Sequence, residues 1–261
     1  MQKIISWNVA SVRARLPALM KFLTAESPDI LFLQEIKATE ETFPFFDLKL
    51  TGYSAVISGQ KSYNGVAVLS REPLRAVQPF LPNFADQARF IRGETADGTV
   101  LISVYVPNGT PPEKDPTDTS RLDYKLHWFS ALTDHVRELR AKGRSVIVGG
   151  DFNVIEHDTD VYRPDLFRGG ALMNPPVQRA FEQFQDIPMI NMIRRFHPNP
   201  QTYSFWDFQG GAWPRNHGIL LDAILVSPDL SKRVTAARIY REVRGWKGTS
   251  DHAPVGIDLS D

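Results

Sequence analysis

The sequence predicts an α/β protein of stacked β-sheets covered by helices, in a single domain spanning residues 1–261. Three observations lead there. Short apolar runs rich in β-branched residues recur along the whole chain, the pattern of strands buried on both faces. Amphipathic stretches lie between some of them, yet many runs follow one another through short turns, which disfavours a simple alternation of strand and crossover helix. No proline- or glycine-rich stretch separates segments of different composition, so no linker is evident.

In chain order the expected strands are KIISWN, DILFLQE, YSAVIS, GVAVLS, VLISVYV, SVIVGG, LLDAILVS and APVGIDL. A first helix is expected over 12–25 on the stripe Leu16, Leu19, Met20 and Leu23, its regular part starting near Pro17. The clearest helix covers about 121–141. Leu122, Leu126, Phe129, Leu132, Val136 and Leu139 form its stripe, Thr119 or Ser120 can cap it, and Gly143 follows its end. A third is expected over 176–184. Residues 108–116 and 208–217 are rich in proline or glycine and read as functional loops.

Of 261 residues 42% are hydrophobic and 23% charged, which is ordinary for a globular protein. The formal net charge of zero argues against a protein that coats nucleic acid and leaves room for an enzyme with a local basic rim. With no cysteine, disulfides, thiolate metal sites and cysteine nucleophiles are excluded. The opening MQKIISWNVAS lacks the long apolar region of a signal peptide, and no apolar stretch reaches membrane-spanning length. A cytoplasmic protein with no membrane partner is expected.

Polar residues sit where apolar runs end. KIISW ends in Asn8, ILFLQ in Glu35, ISVYVP in Asn108 with Tyr105 just inside, and SVIVGG in Asp151 and Asn153. Ser250-Asp251-His252 instead precedes an apolar run, so an antiparallel last strand would bring it to the same rim. Each residue has a bland reading: Asn8 as a helix cap, Glu35 as a solvated strand end, Asp251 as a turn acid, His252 as a core histidine, GGDFNV (149–154) as a plain turn. All of them holding at once is much less probable than one shared site.

Asp222 lies inside GILLDAILV, where a carboxylate is buried and needs a partner. His252 is the most economical one, because an aspartate fixes the imidazole tautomer and stabilises imidazolium. An Asp–His pair with no evident serine or cysteine nucleophile points to water. Glu35, Asn8 and Asp251 offer hard oxygen ligands, a set suited to magnesium or manganese and not to zinc.

These residues resemble a known family. SWNVASVRARLP, LFLQEIK, YNGVAVLSR, YVPNG, GGDFNV, TYSFWDF, NHGILLDAILVSP and SDHAPV stand in the order found in the exonuclease III family of apurinic/apyrimidinic endonucleases, within the DNase I-like endonuclease/exonuclease/phosphatase superfamily. The resemblance covers residues 3–258. It implies a four-layered α/β sandwich, two mixed sheets face to face with helices outside, and a Mg²⁺-dependent phosphodiesterase (Mn²⁺ substituting) acting on double-stranded DNA with abasic sites or damaged 3′ ends. Glu35 would be the principal metal ligand with Asn8 and Asp251 nearby. Asp151 would orient or deprotonate water, Asn153 would help hold the phosphate, Tyr105 would contact the phosphate or the water, and His252 with Asp222 would stabilise charge on the phosphate oxygens. Asn174 would correspond to a further phosphate contact. Phe205, Trp206, Ile219 and Leu221 would surround a flipped abasic sugar, with Met173 bordering the pocket and Trp213 wedging into the duplex.

Cations expected on the rim are Arg13, Arg15, Lys37, Lys61, Arg121 and Lys247, each of which also reads as solvated surface. Two departures stand out. Relatives carry arginine where this chain has Leu220, so a cationic contact is expected to be either lost or moved, with Arg215 as a candidate, and 155–175 follows the family only loosely. A monomer is expected. Two rival classes are a superfamily phosphodiesterase or phosphatase acting on a small phosphorylated substrate and a non-catalytic nucleic-acid-binding relative. The chemically intact set of site residues disfavours the second.

Overall fold

The computed structural model describes residues 1–260. The first half runs β1 (Gln2–Asn8), α1 (Leu16–Glu26), β2 (Ile30–Gln34), α2 (Phe45–Leu50), β3 (Ser54–Ser58), β4 (Val66–Ser70), β5 (Arg75–Gln78), β6 (Phe90–Glu94) and β7 (Val100–Tyr105). It continues through α3 (Ser120–Ala141), β8 (Val146–Asp151), α4 (Pro175–Asp186), β9 (Ile190–Asn191) and α5 (Met192–Phe196). Then follow β10 (Asp222–Val226), α6 (Pro228–Ser231), β11 (Val234–Ile239), α7 (Arg241–Arg244) and β12 (Val255–Leu259). The strands form two six-stranded sheets, ordered β11-β12-β1-β2-β4-β3 and β5-β6-β7-β8-β10-β9. Both are mixed: β1 pairs with β2, and β7 with β8, in parallel, and the remaining neighbours are antiparallel.

Side-chain alternation along the strands builds three apolar layers. Ile5, Trp7, Leu31 and Leu33 face outward against Leu19, Phe22 and Leu23 of α1. Ile102, Val104, Val146 and Val148 face outward on the second sheet against Trp128, Phe129 and Leu132 of α3 and Phe181 and Phe184 of α4. Ile4, Phe32, Leu101, Ile147, Ile224 and Ile257 fill the seam between the sheets. Helices, sheet, sheet and helices give the expected four layers.

The glycines of GGDFNV belong to this packing, not to a turn. A Cβ on Gly149 would lie 2.4 Å from the Phe32 ring, and one on Gly150 would lie 2.0 Å from the Val104 carbonyl. Glycine at 149 lets the sheets close over Phe32, glycine at 150 lets β8 lie close against Val104 of β7, and β8 runs as an intact strand to Asp151. Asp151 shares the inward face with Ile147, so the strand delivers its carboxylate into the seam.

The first helix starts at Leu16, its leading residues forming a turn, with Pro17 in its first turn. Strands β5, β6, β9 and β11 and the short helices α2, α5, α6 and α7 were not legible. β5 is exposed and β11 mostly half-buried or exposed, so their polar residues hide the alternation. No helix of the described residues is long and apolar enough to cross a membrane.

Candidate active site

Neighbouring strands end together at one rim. In register, Asn8 stands opposite Gln34, Tyr105 opposite Asp151, and Asp151 opposite Asp222. β12 runs antiparallel to β1, so its start brings His252 to the same rim, as the sequence predicts. Asn8, Tyr105, Asp151 and Asp222 all continue the inward faces of their strands, which places them in the mouth of the seam.

His252 Nδ1 lies 2.8 Å from Asp222 Oδ2, with both residues almost wholly buried. Ser204 Oγ donates to the same Asp222 oxygen at 2.6 Å and accepts from the Leu221 and Asp222 amides. The other imidazole nitrogen, Nε2, faces Asp151 Oδ2 at 3.6 Å. Burial alone would push the His252 pKa down, but Asp222 first and then Asp151 and Asp251 raise it to about 10. Burial pushes Asp151 up to about 7, with His252 pulling it down and Asp222 raising it.

Asn8 ties this pair to Glu35. Its Nδ2 donates to Glu35 Oε1 at 2.9 Å and to Asp151 Oδ2 at 3.0 Å, while its Oδ1 accepts from the Ala10 amide. Asn8 therefore holds two carboxylates in place and turns its oxygen elsewhere, whereas the sequence reading made that oxygen a metal ligand. Lys37, expected as a free rim cation, is paired with Glu35 Oε2 at 2.9 Å. Burial raises the Glu35 pKa, but the Asn8 hydrogen bond and Lys37 outweigh it and hold the carboxyl below its usual range. Tyr105 faces Glu35; burial, then Glu35 and Asp151, push its phenol well above the usual range. The Tyr105 ring lies under the Arg89 guanidinium at 4.8 Å, a cation absent from the expected rim set that stands in the loop just before β6. Asp251 is half-buried and accepts from Ser250 Oγ.

Asp151 and Asn153 do not point the same way, as an extended chain would require. β8 stops at Asp151 and Asn153 takes left-handed backbone with φ 50°. Its amide donates to Asp151 Oδ1, its Nδ2 donates to the Val106 carbonyl, and its Oδ1 accepts from Asn108. Asn174 is the N-cap of α4, accepting from Val177 N at 3.0 Å and donating to Gly170 O, so the structure gives its amide to the helix where a phosphate contact was expected.

The apolar residues divide. Phe205, Ile219 and Leu221 pack with Met173, Ile155 and Val161 beside the site, the Phe205 ring 4.8 Å from that of His252. Trp206 is not among them. It is fully buried on the opposite side, with Tyr203, Ala212 and Ala253, because successive residues of an extended segment point apart. Its Nε1 donates to Asn216, and Trp213 packs edge-on against it under Arg241 at 4.7 Å. Around Leu220 the backbone amide donates to the Asp160 carbonyl, and the Asp160 carboxylate is paired with Arg194. Of the remaining rim cations, Arg13, Lys61, Arg121 and Lys247 are exposed, and Arg15 lies 5.8 Å over the Phe208 ring. A groove of about 610 Å³ runs from the site between Arg89, Asn108, Tyr63 and Arg121.

The arrangement is suited to moving a proton at Asp151 and holding negative charge at His252. Among the described residues no serine or cysteine is seen at His252 Nε2, and Ser204 bonds to Asp222 instead. Comparison with known proteins agrees in fold and extent. The sequence model of the endonuclease/exonuclease/phosphatase family matches residues 5–252. An exodeoxyribonuclease of Bacillus subtilis is 31% identical over 264 residues, covering 99% of each chain. A 3′ phosphatase from Neisseria, solved bound to product DNA hairpin, superposes with a TM-score of 0.94 at 34% identity over the whole of both chains. An AP endonuclease from Archaeoglobus fulgidus gives 0.93 at 32% identity, again over the whole of both chains.

Proposed function

The chain belongs to the exonuclease III/AP endonuclease family of the DNase I-like phosphoesterases, and on that premise we propose a Mg²⁺-dependent DNA-repair phosphodiesterase that incises 5′ to abasic sites and removes nucleotides or blocking groups from 3′ ends. The observation that carries the reading is the unbroken run Asp222–His252–Asp151–Asn8–Glu35 at the mouth of the seam. It sets an imidazolium between two buried aspartates, one of which, Asp151, is the basic carboxylate, and joins that carboxylate through Asn8 to an ionised glutamate. Water is the nucleophile, with Asp151 as the base that takes its proton.

The donor set fits magnesium. Glu35 keeps its negative charge although half-buried, and its second oxygen already holds a cation, the Lys37 ammonium. Among the described residues no group of three or more His, Cys, Asp or Glu is arranged to cage an ion. Magnesium takes one or two carboxylates and keeps its waters, so it does not need such a cage. Glu35 would hold it, with Asp251 at the same rim. When bound it supplies Lewis-acid polarisation of the phosphoryl oxygen. Asp151 takes the proton of water, and His252 faces the charge developing on phosphate. Asn153, with Asn108 behind it, and Tyr105 orient the phosphate. The groove beside Arg89 and Arg121 carries the flanking strand.

One observation favours a second reading, in which 3′ ends are strongly preferred to internal abasic sites. Ile219, Leu221 and Met173 are only 4%, 5% and 4% exposed, so the apolar cluster is already filled from the 155–175 side. Purified protein assayed with magnesium, and with chelator, on a tetrahydrofuran-containing duplex, a recessed 3′ end, a 3′-phosphate and inositol phosphates separates the readings. Cleavage of inositol phosphates alone would overturn both.

A further inference from the structure

Helix α3 carries one residue that its apolar face does not explain. Lys125 is wholly buried on the stripe of Phe129, Leu132 and Val136. A buried ammonium is costly unless every hydrogen finds an acceptor. Its three hydrogens meet three carbonyls: Asn108 at 3.1 Å, Asn153 at 2.6 Å and Ala171 at 2.8 Å. Burial pushes its pKa down to about 7, and Asp151 pulls it back up. The three acceptors belong to separate segments: the loop after β7, the loop after β8 and the loosely matching 155–175 stretch.

Two further features serve the same arrangement. Gly109 has φ 83°, and a Cβ there would lie 2.9 Å from Lys125 Cδ, so glycine is what allows the loop after β7 to cross the lysine stem. The left-handed backbone of Asn153 is held at every polar group, and its carbonyl is the one that Lys125 takes.

We propose that Lys125 is a positioning residue that locks the Asn108 and Asn153 loops to the Ala171 segment. It thereby fixes the asparagine amides at the phosphate and ties them to the stretch that fills the apolar cluster. The inference rests on the reading of Asn153 as a phosphate contact. Lys125→Met keeps the stem and removes the ammonium, and Lys125→Arg keeps the charge.

Backbone amide hydrogen exchange at 108–110, 153–155 and 171–173 gives a readout that does not depend on nuclease activity. In Lys125→Met all three segments should exchange roughly tenfold faster or more, whereas general destabilisation would spread the change over the sheets. On a recessed 3′ end kcat should fall about tenfold or more with KM little changed, and Lys125→Arg should recover part of the loss. In an Asn153→Ala background, losing Lys125 should cost almost nothing further. Unchanged exchange in the three segments, or losses that multiply with Asn153→Ala, would overturn the proposal. If the wild type cleaved no DNA, the nuclease reading would fail while the exchange result still decided the lock. Should Lys125→Met not fold, NMR of the wild-type Nζ decides: a protected ammonium supports the lock, and free exchange refutes it.

Discussion

Replacing Asp222 by asparagine tests the core of the site. Asp222 is 2% exposed and cannot touch DNA, so whatever the change does must pass through its neighbours. The carboxylates around His252 raise its pKa from 6.5 to about 10 in spite of burial, Asp222 contributing most. That rise corresponds to on the order of 5 kcal/mol in favour of imidazolium, at about 1.4 kcal/mol per unit. Asp222 is the nearer acid, at 2.8 Å against 3.6 Å for Asp151, so neutralising it removes the larger share. The imidazole then loses its charge and its fixed tautomer near neutral pH. Losing a charge-stabilising group of this kind costs about 10²–10⁴ in rate. Single-turnover cleavage of a labelled duplex with a recessed 3′ end, at saturating enzyme and magnesium, should show that loss for Asp222→Asn. DNA affinity should stay within about threefold. His252→Asn should show a similar loss, and the double variant little more than either. Removing one partner of a buried pair also costs about 3–5 kcal/mol of stability, so the assay belongs well below the melting temperature of each variant. If the two losses multiplied in the double variant, Asp222 and His252 would act independently and the proposed pair would be wrong.

Glu35→Gln should abolish most activity while leaving the fold intact, with partial recovery at high magnesium or manganese; wild-type rates at low magnesium would refute the ligand assignment. The raised pKa of His252 contributes stability that is fully present below about pH 6.5 and is lost as pH rises through about 10. Thermal melts of metal-free protein should therefore fall more steeply over that window for wild type than for His252→Asn, and parallel slopes would contradict the pairing. Met173→Ala should open the filled cluster, costing about 2–5 kcal/mol of stability and raising abasic incision relative to 3′-phosphate removal. Trp206→Ala, by contrast, should cost about 3–5 kcal/mol and leave that ratio unchanged, because Trp206 lies behind the strand.

The parts of the site legible in the sequence are those that violate a local pattern. Asp222 interrupts an apolar run, and Asn8, Glu35 and Asp151 terminate one, so each signals that something other than packing chose it. Lys125 violates its helix face in the same way, yet long cationic side chains on helix stripes usually reach solvent, and the pattern alone does not show that this one cannot. Phe205 and Trp206 show the opposite failure. Both suit a pocket by composition, and only the extended geometry of the segment decides that one faces the site and the other the interior. Asn174 is expected only as a phosphate contact; in the structure its side chain caps α4 ahead of two prolines, a role the resemblance does not suggest.

The chemistry of this site depends on strand register. Asn8, Tyr105, Asp151 and Asp222 enter the seam because each continues the inward alternation of its strand, after Ser6, Ser103, Gly149 and ahead of Ile224 respectively. A slip of one residue in β8 would turn Asp151 toward α3 and α4 and put Gly150 or Phe152 in its place. What prevents the slip is bulk. Val146 and Val148 are packed under the helices and either slip would turn them into the seam; in the slip that seats Gly150 at Asp151's place, Val148 would also meet Phe32 where only a glycine fits. Any larger residue at 149 would press the sheets apart at their active end, where Asn8 of one sheet reaches Asp151 of the other at 3.0 Å. The apolar seam and the Asp151 carboxylate are thus fixed by the same contact, and the burial that gives Asp151 its raised pKa follows from how closely Gly149 lets the sheets meet.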